Sequence, residues 1–206
     1  MPRILSQDEV SDFRERLSAV AERLFAQHGP QGVGMRQIAA ELGVSPMTAY
    51  RYFKDKDDIL AAVRASSFDR FSDGLEAGLE SSANPLEQAA AVGEAYFRFA
   101  LEHSAAYKLM FDLDQPNEAD YPDLVRATTR AKKTLTDYMR RLVQARILEG
   151  DVDLMAHVFW ATIHGLVGLH LAGKLPGPVT VETLRDESFR VLFSSYATKP
   201  AHAFPA

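Results

Sequence analysis

The chain predicts an all-α protein of about nine helices, with a small N-terminal helix-turn-helix domain followed by a larger helical domain. Three observations carry this. Apolar residues recur at steps of three and four along most of the chain, and no strand-like alternation bounded by hairpin turns is present. Gly43-Val44-Ser45-Pro46 sits between two short helical patterns, as a tight turn between paired helices requires. Residues 154–172 carry no Asp, Glu, Lys or Arg, which marks a helix buried on nearly all sides.

The elements follow in order. Residues 8–28 read as one amphipathic helix, with Val10, Phe13, Leu17, Val20, Ala21, Leu24 and Phe25 on its apolar side and Gly29-Pro30 as its stop. A second helix spans 35–42, with Ile38, Ala39 and Leu42 inward. Gly43 tolerates the left-handed backbone that ends it. Ser45 caps a third helix over 46–53, Pro46 fits its first position, and Ala49 and Phe53 face inward. Asp55 caps a fourth helix to about Glu80, with Asp57 and Asp58 in its favourable first turn. Ser81-Ser82-Ala83-Asn84-Pro85 breaks it. Further helices are expected at about 86–103, 104–113, 120–148, 152–173 and 180–197. Pro116, Asn117 and Pro122, then Gly150, then Gly173, Pro176, Gly177 and Pro178 mark the loops. The domains expected are 1–55, 56–198 and a loose tail over 199–206.

With 206 residues the chain can bury a sizeable core. It has no cysteine, which excludes disulfides and thiolate metal sites and fits a reducing, cytoplasmic setting. Its start is short and polar, unlike a signal peptide. The net charge is −5, yet residues 34–56 carry Arg36, Arg51, Lys54 and Lys56 against Glu41 and Asp55 only. A locally basic module on an acidic body suits a protein that touches phosphates at one end.

The charge-free run reaches membrane-spanning length, but three histidines and a threonine interrupt it and no basic cluster flanks it, so no membrane partner is expected. One small domain cannot easily bury such a helix on all sides. A partner subunit would, with Gly165 and Gly168 allowing close approach.

The third helix is about two turns long, so few of its side chains reach base edges. Pro46, Met47 and Thr48 lie at its N-terminal end, the end that meets bases in this motif. Met47 and the Thr48 methyl suit thymine methyls, and the Thr48 hydroxyl can hydrogen-bond. Arg36 suits a guanine edge or a phosphate. Tyr50, Tyr52, Lys54 and Lys56 read as backbone anchors, with Lys56 at a helix start where amides help. Arg51 lies on or near the exposed side. Plainer roles also fit these residue types: a Tyr52 half-buried against the first helix, an Arg51 that is only a solvated charge, and a polar turn over 54–58.

Arg36-Gln37-Ile38-Ala39, Gly43-Val44-Ser45, Thr48-Ala49-Tyr50-Arg51-Tyr52-Phe53, Lys56 and Ile59-Leu60, placed after a long first helix, resemble the tetracycline-repressor (TetR) family. Gly34 departs from that pattern, which often has Thr or Ser capping the second helix. Trp160-Ala161-Thr162-Ile163-His164-Gly165 resembles the Trp…His-Gly (WHG) signature of one TetR-type C-terminal domain class. The resemblance implies a homodimer on a double-stranded DNA operator, usually a repressor, with an inducing small molecule bound in the larger domain. It implies that the last two helices, 152–173 and 180–197, pair with their copies as a four-helix bundle. The 180–197 segment has two apolar faces: Val181, Leu184, Val191 and Leu192 on one, and Phe189, Phe193 and Tyr196 on the other. One could meet its own core and the other a partner.

For the effector, an apolar or aromatic molecule, the expected lining is Tyr96, Phe97, Phe99, Tyr107, Met110, Phe111 and Trp160, with His164, His103 and Thr162 as polar groups. Most of these side chains also suit a plain core, and His164 also suits a structural role one turn from Trp160. No cofactor is expected. An enzyme is disfavoured, since no Ser-His-Asp set, phosphate-cradling glycine loop or H-E-x-x-H motif is present. The residues are also compatible with a metal-responsive regulator using His157, His164 and His103, and with an interaction protein that has lost DNA binding.

Overall fold

The computed structural model describes residues 7–112, 116–175 and 177–198. The expected loop marker Pro176 and the tail 199–206 lie outside them. Among the described residues nine α-helices follow in order. These are α1 (Gln7–His28), α2 (Met35–Glu41), α3 (Pro46–Ala49), α4 (Lys56–Leu79), α5 (Pro85–Glu102), α6 (Ser104–Phe111), α7 (Pro122–Gln144), α8 (Val152–Leu171) and α9 (Val181–Tyr196). Two 3₁₀ turns, Pro30–Gly32 and Glu118–Asp120, join them, and the only pairing of β type among the described residues is an isolated bridge between Leu148 and Ala197.

Two expected helices are clearly shorter than their apolar patterns. The third, expected over 46–53, is regular only to Ala49, and Tyr50–Tyr52 form a turn whose amides still bond back to Pro46, Thr48 and Ala49 carbonyls. The seventh starts at Pro122 rather than 120, because 118–120 is a 3₁₀ turn capped by the Asn117 side chain. It ends at Gln144 rather than 148. Arg146 takes a left-handed φ of 56° and the Ile147 amide bonds Leu142 O at 3.0 Å, the hydrogen bond that closes a Schellman stop.

The chain packs as two compact units. One holds residues up to Arg70 together with Ala105–Thr129; the other holds Phe71–Ser104 and the residues from Arg130 on. Both α4 and α7 contribute to each unit. This division falls within α4 and α7, whereas the domain boundary expected from the sequence lies at 55/56, just before α4.

In the first unit, Phe13, Leu17, Ala21, Leu24 and Phe25 of α1 meet Ile38 and Ala39 of α2, Ala49, Phe53, and Ile59, Leu60 and Val63 of α4 in one core. On α1 to α3 these are the inward positions that the periodicity picks out, except that Val10, Val20 and Leu42 are only partly buried. Ion pairs tie the outside: Arg70 to Glu22 at 2.7 Å, and Arg126 to both carboxylate oxygens of Asp69 at 3.0 and 2.7 Å.

In the second unit, Phe71 meets Tyr96 and Phe99 edge-on, with ring centroids 5.0 and 5.2 Å apart. Phe159 of α8 meets Phe189, Phe193 and Tyr196 of α9. The end of α9 is tied to the α7–α8 turn by Glu149 N–H to Tyr196 O at 2.9 Å and Thr198 N–H to Ile147 O at 3.1 Å. Arg130 bridges Asp73 and Glu76 at 2.7 and 2.6 Å, and those two carboxylates raise its pKa.

Gly78 sits where α4 meets α5, and a Cβ there would lie 2.9 Å from the Ala91 carbonyl carbon and oxygen. At Gly74, one turn earlier, a Cβ would have Ala95 Cβ at 4.0 Å, an ordinary contact. Gly78→Ala should therefore destabilise the chain by about 1–3 kcal/mol through overpacking. Gly74→Ala should stabilise it by about 0.5–1 kcal/mol through helix propensity. Chemical denaturation of the two variants should move their midpoints in opposite directions.

Candidate DNA interface and effector cavity

The turn before α3 is built as the sequence dictates. Gly43 has φ 75°, and the Val44 amide closes back to Ala39 O at 2.9 Å. Ser45 Oγ accepts the Thr48 amide at 3.1 Å and lies 2.9 Å from Thr48 Oγ1. Asp55 Oδ1 accepts the Asp58 amide at 2.9 Å, and Asp58 Oδ2 accepts the Lys54 amide at 2.9 Å, so the start of α4 is capped reciprocally. A four-residue helix has little stability of its own. Here Ala49 and Phe53 are fully buried, and the Arg14 guanidinium lies 4.2 Å from the Phe53 ring centre and donates to Tyr52 O.

With Ala49 inward, Pro46, Met47 and Tyr50 face out; Met47 is 73 % exposed and Tyr50 48 %. Arg36, Arg51 and Lys54 are exposed as well, and Thr48 is half-buried under the Ser45 cap. Two expected anchors carry structural contacts. The Tyr52 ring is half-buried and stacks on Phe13 with centroids 4.2 Å apart, which is the plainer of the two roles its residue type allows. Lys56 is half-buried, and its Nζ donates to Pro30 O at 2.9 Å, which ties the start of α4 to the α1–α2 connection. Gly34 is the N-cap of α2 and makes no side-chain cap bond.

In the second unit α5, α7, α8 and α9 surround a cavity of about 520 Å³. Its walls are apolar and aromatic: Val92 and Tyr96 from α5, Leu135 and Tyr138 from α7, Phe159, Trp160 and Ile163 from α8, and Phe189 and Phe193 from α9. Glu94, Arg185, Asp186 and Arg190 also line it. Of the residues that the sequence suggested, Tyr96 and Trp160 reach this cavity, and Trp160 Nε1 donates to Tyr96 OH at 3.2 Å.

The others do not line it. Phe97 lies under the Arg185 guanidinium at 4.9 Å, and Phe99 packs on Phe71 and His103. Tyr107, Met110 and Phe111 belong to the first unit, where Phe111 meets Tyr107 and Phe68. His164 is half-buried beside Trp160, and burial lowers its pKa. Thr162 bonds its own helix at Val158 O, 2.8 Å away. Sequence reading missed Tyr138, because it sits among the charged residues of α7, and it read Phe189 and Phe193 as packing only.

A short capped helix that follows a tight turn from α2 and is seated on a core with α1 defines a helix-turn-helix DNA-binding protein. Residues 17–63 match the family described as bacterial regulatory proteins, tetR family, and residues 89–196 match the tetracyclin repressor-like C-terminal domain, a span that contains Trp160 to Gly165. The chain is 29 % identical over 156 residues to the HTH-type transcriptional activator FasR of Mycolicibacterium smegmatis, covering 76 % of this chain and 68 % of FasR. It is 32 % identical over 149 residues to the HTH-type transcriptional regulator BetI of Rhizobium meliloti, covering 69 % of this chain and 73 % of BetI. A solved structure of a protein of unknown function from Rhodococcus sp. RHA1 superposes with a TM-score of 0.80 at 27 % identity, covering 96 % of this chain and 99 % of that one. The chain belongs to the TetR family of DNA-binding transcriptional regulators, and it is not an enzyme.

The Arg14 and Ser45 contacts hold α3 in place. Arg14→Ala should lower stability by about 1–3 kcal/mol, through the lost cation–π and carbonyl contacts. Ser45→Ala should cost about 1 kcal/mol. Urea midpoints measured without DNA check both.

Proposed function

We propose that the chain is a cytoplasmic repressor that binds a near-palindromic operator as a homodimer and releases it when a small apolar or aromatic molecule occupies the cavity of the second unit. The observation that carries the reading is the cavity: about 520 Å³ walled by aromatic side chains, in the size range of small-molecule sites. Residues 1–55 serve as the DNA-binding domain and 56–198 as the effector and dimerisation domain. Met47 and Thr48 read bases from the start of α3, with Pro46 beside them. Arg36 meets a guanine edge or a phosphate. Tyr50, Arg51, Tyr52, Lys54 and Lys56 hold the backbone. Lys56 keeps donors for this role, because an ammonium has three N–H bonds and Pro30 takes one.

The homodimer is supported by the outer face of α8 and α9. Leu154, Leu169 and Val191 are 61, 45 and 46 % exposed, and a Cβ added at Gly165 or Gly168 would meet nothing within 4 Å in this chain. A second copy laid on this face would bury it. The metal-responsive reading finds no support: among the described residues no group of three or more His, Asp or Glu could hold an ion. The effector acts only through its different affinity for the DNA-competent and DNA-incompetent arrangements, and α4, which belongs to both units, is the element that carries the shift.

Tyr50→Ala and Lys56→Ala should each weaken operator binding with helicity unchanged, and Lys56→Ala should lower the salt slope by about one per subunit. Band-shift titrations on the chain's own upstream region check this, and unchanged affinity in both variants would remove these residues from the interface. The footprint should have two-fold symmetry, with half-site centres ~34 Å apart or a multiple of that. Because FasR is named an activator, reporter expression in a deletion strain decides the sign: repression predicts a rise.

A further inference from the structure

The cavity holds one polar group that nothing in the fold uses. Tyr138 projects from α7 and is only 8 % exposed, yet it lines the cavity and its hydroxyl makes no hydrogen bond to any described residue. The other polar groups there are engaged. Trp160 Nε1 is bonded to Tyr96 OH. Arg185 donates to Glu94 Oε2 and Asp186 Oδ1, both at 2.9 Å, and Arg190 holds both carboxylate oxygens of Glu187 at 2.5 and 2.7 Å. The charges at the cavity, Glu94 and Asp186 against Arg185 and Arg190, balance in number.

The hydroxyl opens onto the cavity, so a ligand that fills the space without offering an acceptor shuts it off unpaired, and a ligand that offers one gains by comparison. Burial also raises the Tyr138 pKa, which keeps the phenol protonated and able to donate. A carboxylate ligand, in contrast, would need a cation already held, Arg185 by Glu94 and Asp186 or Arg190 by Glu187, and would add its charge to theirs.

We propose that Tyr138 is the specificity-determining residue of the effector cavity, and that the effector is an uncharged apolar or aromatic molecule bearing a carbonyl or other acceptor oxygen that takes the Tyr138 hydrogen bond. This rests on the cavity being the effector site. Tyr138→Phe keeps the ring and removes only the hydroxyl.

The test uses three probes of similar size on the full chain: 4-phenylbutan-2-one, butylbenzene and 4-phenylbutanoate. Trp160, the single tryptophan, lines the cavity and reports binding by its fluorescence. The ketone should bind about three- to tenfold tighter than butylbenzene, the range one net hydrogen bond gives. Tyr138→Phe should abolish that preference, leave butylbenzene binding unchanged or tighter and leave the unliganded melting temperature equal or higher. A hydroxyl needed only for structure would instead lower the melting temperature. The acid should bind more weakly than the ketone. Binding of the probes with a ketone preference that survives Tyr138→Phe, or tightest binding by 4-phenylbutanoate, would overturn the inference and leave the sensor reading standing. If none of the three probes binds, the sensor reading falls and the inference falls with it.

Discussion

The packing of Ala49 and Phe53 into the first core is the constraint on which the DNA-reading end depends. A helix of four residues closes too few hydrogen bonds to offset its own ordering entropy. Its geometry is borrowed from neighbours: the Ser45 cap fixes its start, Phe53 anchors the turn that follows, and Arg14 covers that ring from α1. The Met47 and Tyr50 side chains can then stay exposed, because the core contacts of this segment are made by Ala49 and Phe53. The same logic gives Tyr52 and Lys56 structural contacts beside any contact to phosphate, since both flank the segment that must be held in place.

Sequence reading found this end almost whole because its signals are local. Gly43, Ser45, Pro46 and Asp55 each act on the backbone within a few residues, and the structure places each in its expected conformation or cap. Helix ends were less legible where tertiary context decided them. The apolar pattern runs on past Gln144, but Arg146 turns left-handed and the Leu148–Ala197 bridge takes over. The Tyr52 stacking was visible only as one of two roles, since it depends on where Phe13 sits.

The cavity was much less legible, for a physical reason. Aromatic side chains mark a core and a cavity wall alike, and what separates them is whether neighbours fill the space. Phe99 and Met110 became core and Phe111 packs on Phe68 and Tyr107, whereas Phe159 meets Phe189 and Phe193 beside an open space. Close approach elsewhere accompanies that gap. At Gly78 the backbones of α4 and α5 are near enough to exclude a methyl group, while the side chains of Val92 and, one turn on, Tyr96 line open volume.

Helix α8 shows why a charge-free run, here from Leu154 on, need not mean burial in its own chain. Only a third of its most apolar window is buried, although it is long and apolar enough to cross a membrane. Its inner side gives Phe159, Trp160 and Ile163 to the cavity, and its outer side carries Leu154, Gly165, Gly168 and Leu169. In the proposed dimer the helix would therefore have a ligand on one side and a second copy on the other. A rigid helix shared by two packed surfaces cannot adjust to one without changing its fit to the other. Filling the cavity would thus bear on how two subunits pair, and the spacing of two reading segments along DNA depends on that pairing. Glycines on the outer face leave room for such an adjustment, because they permit close approach without side chains that lock the register.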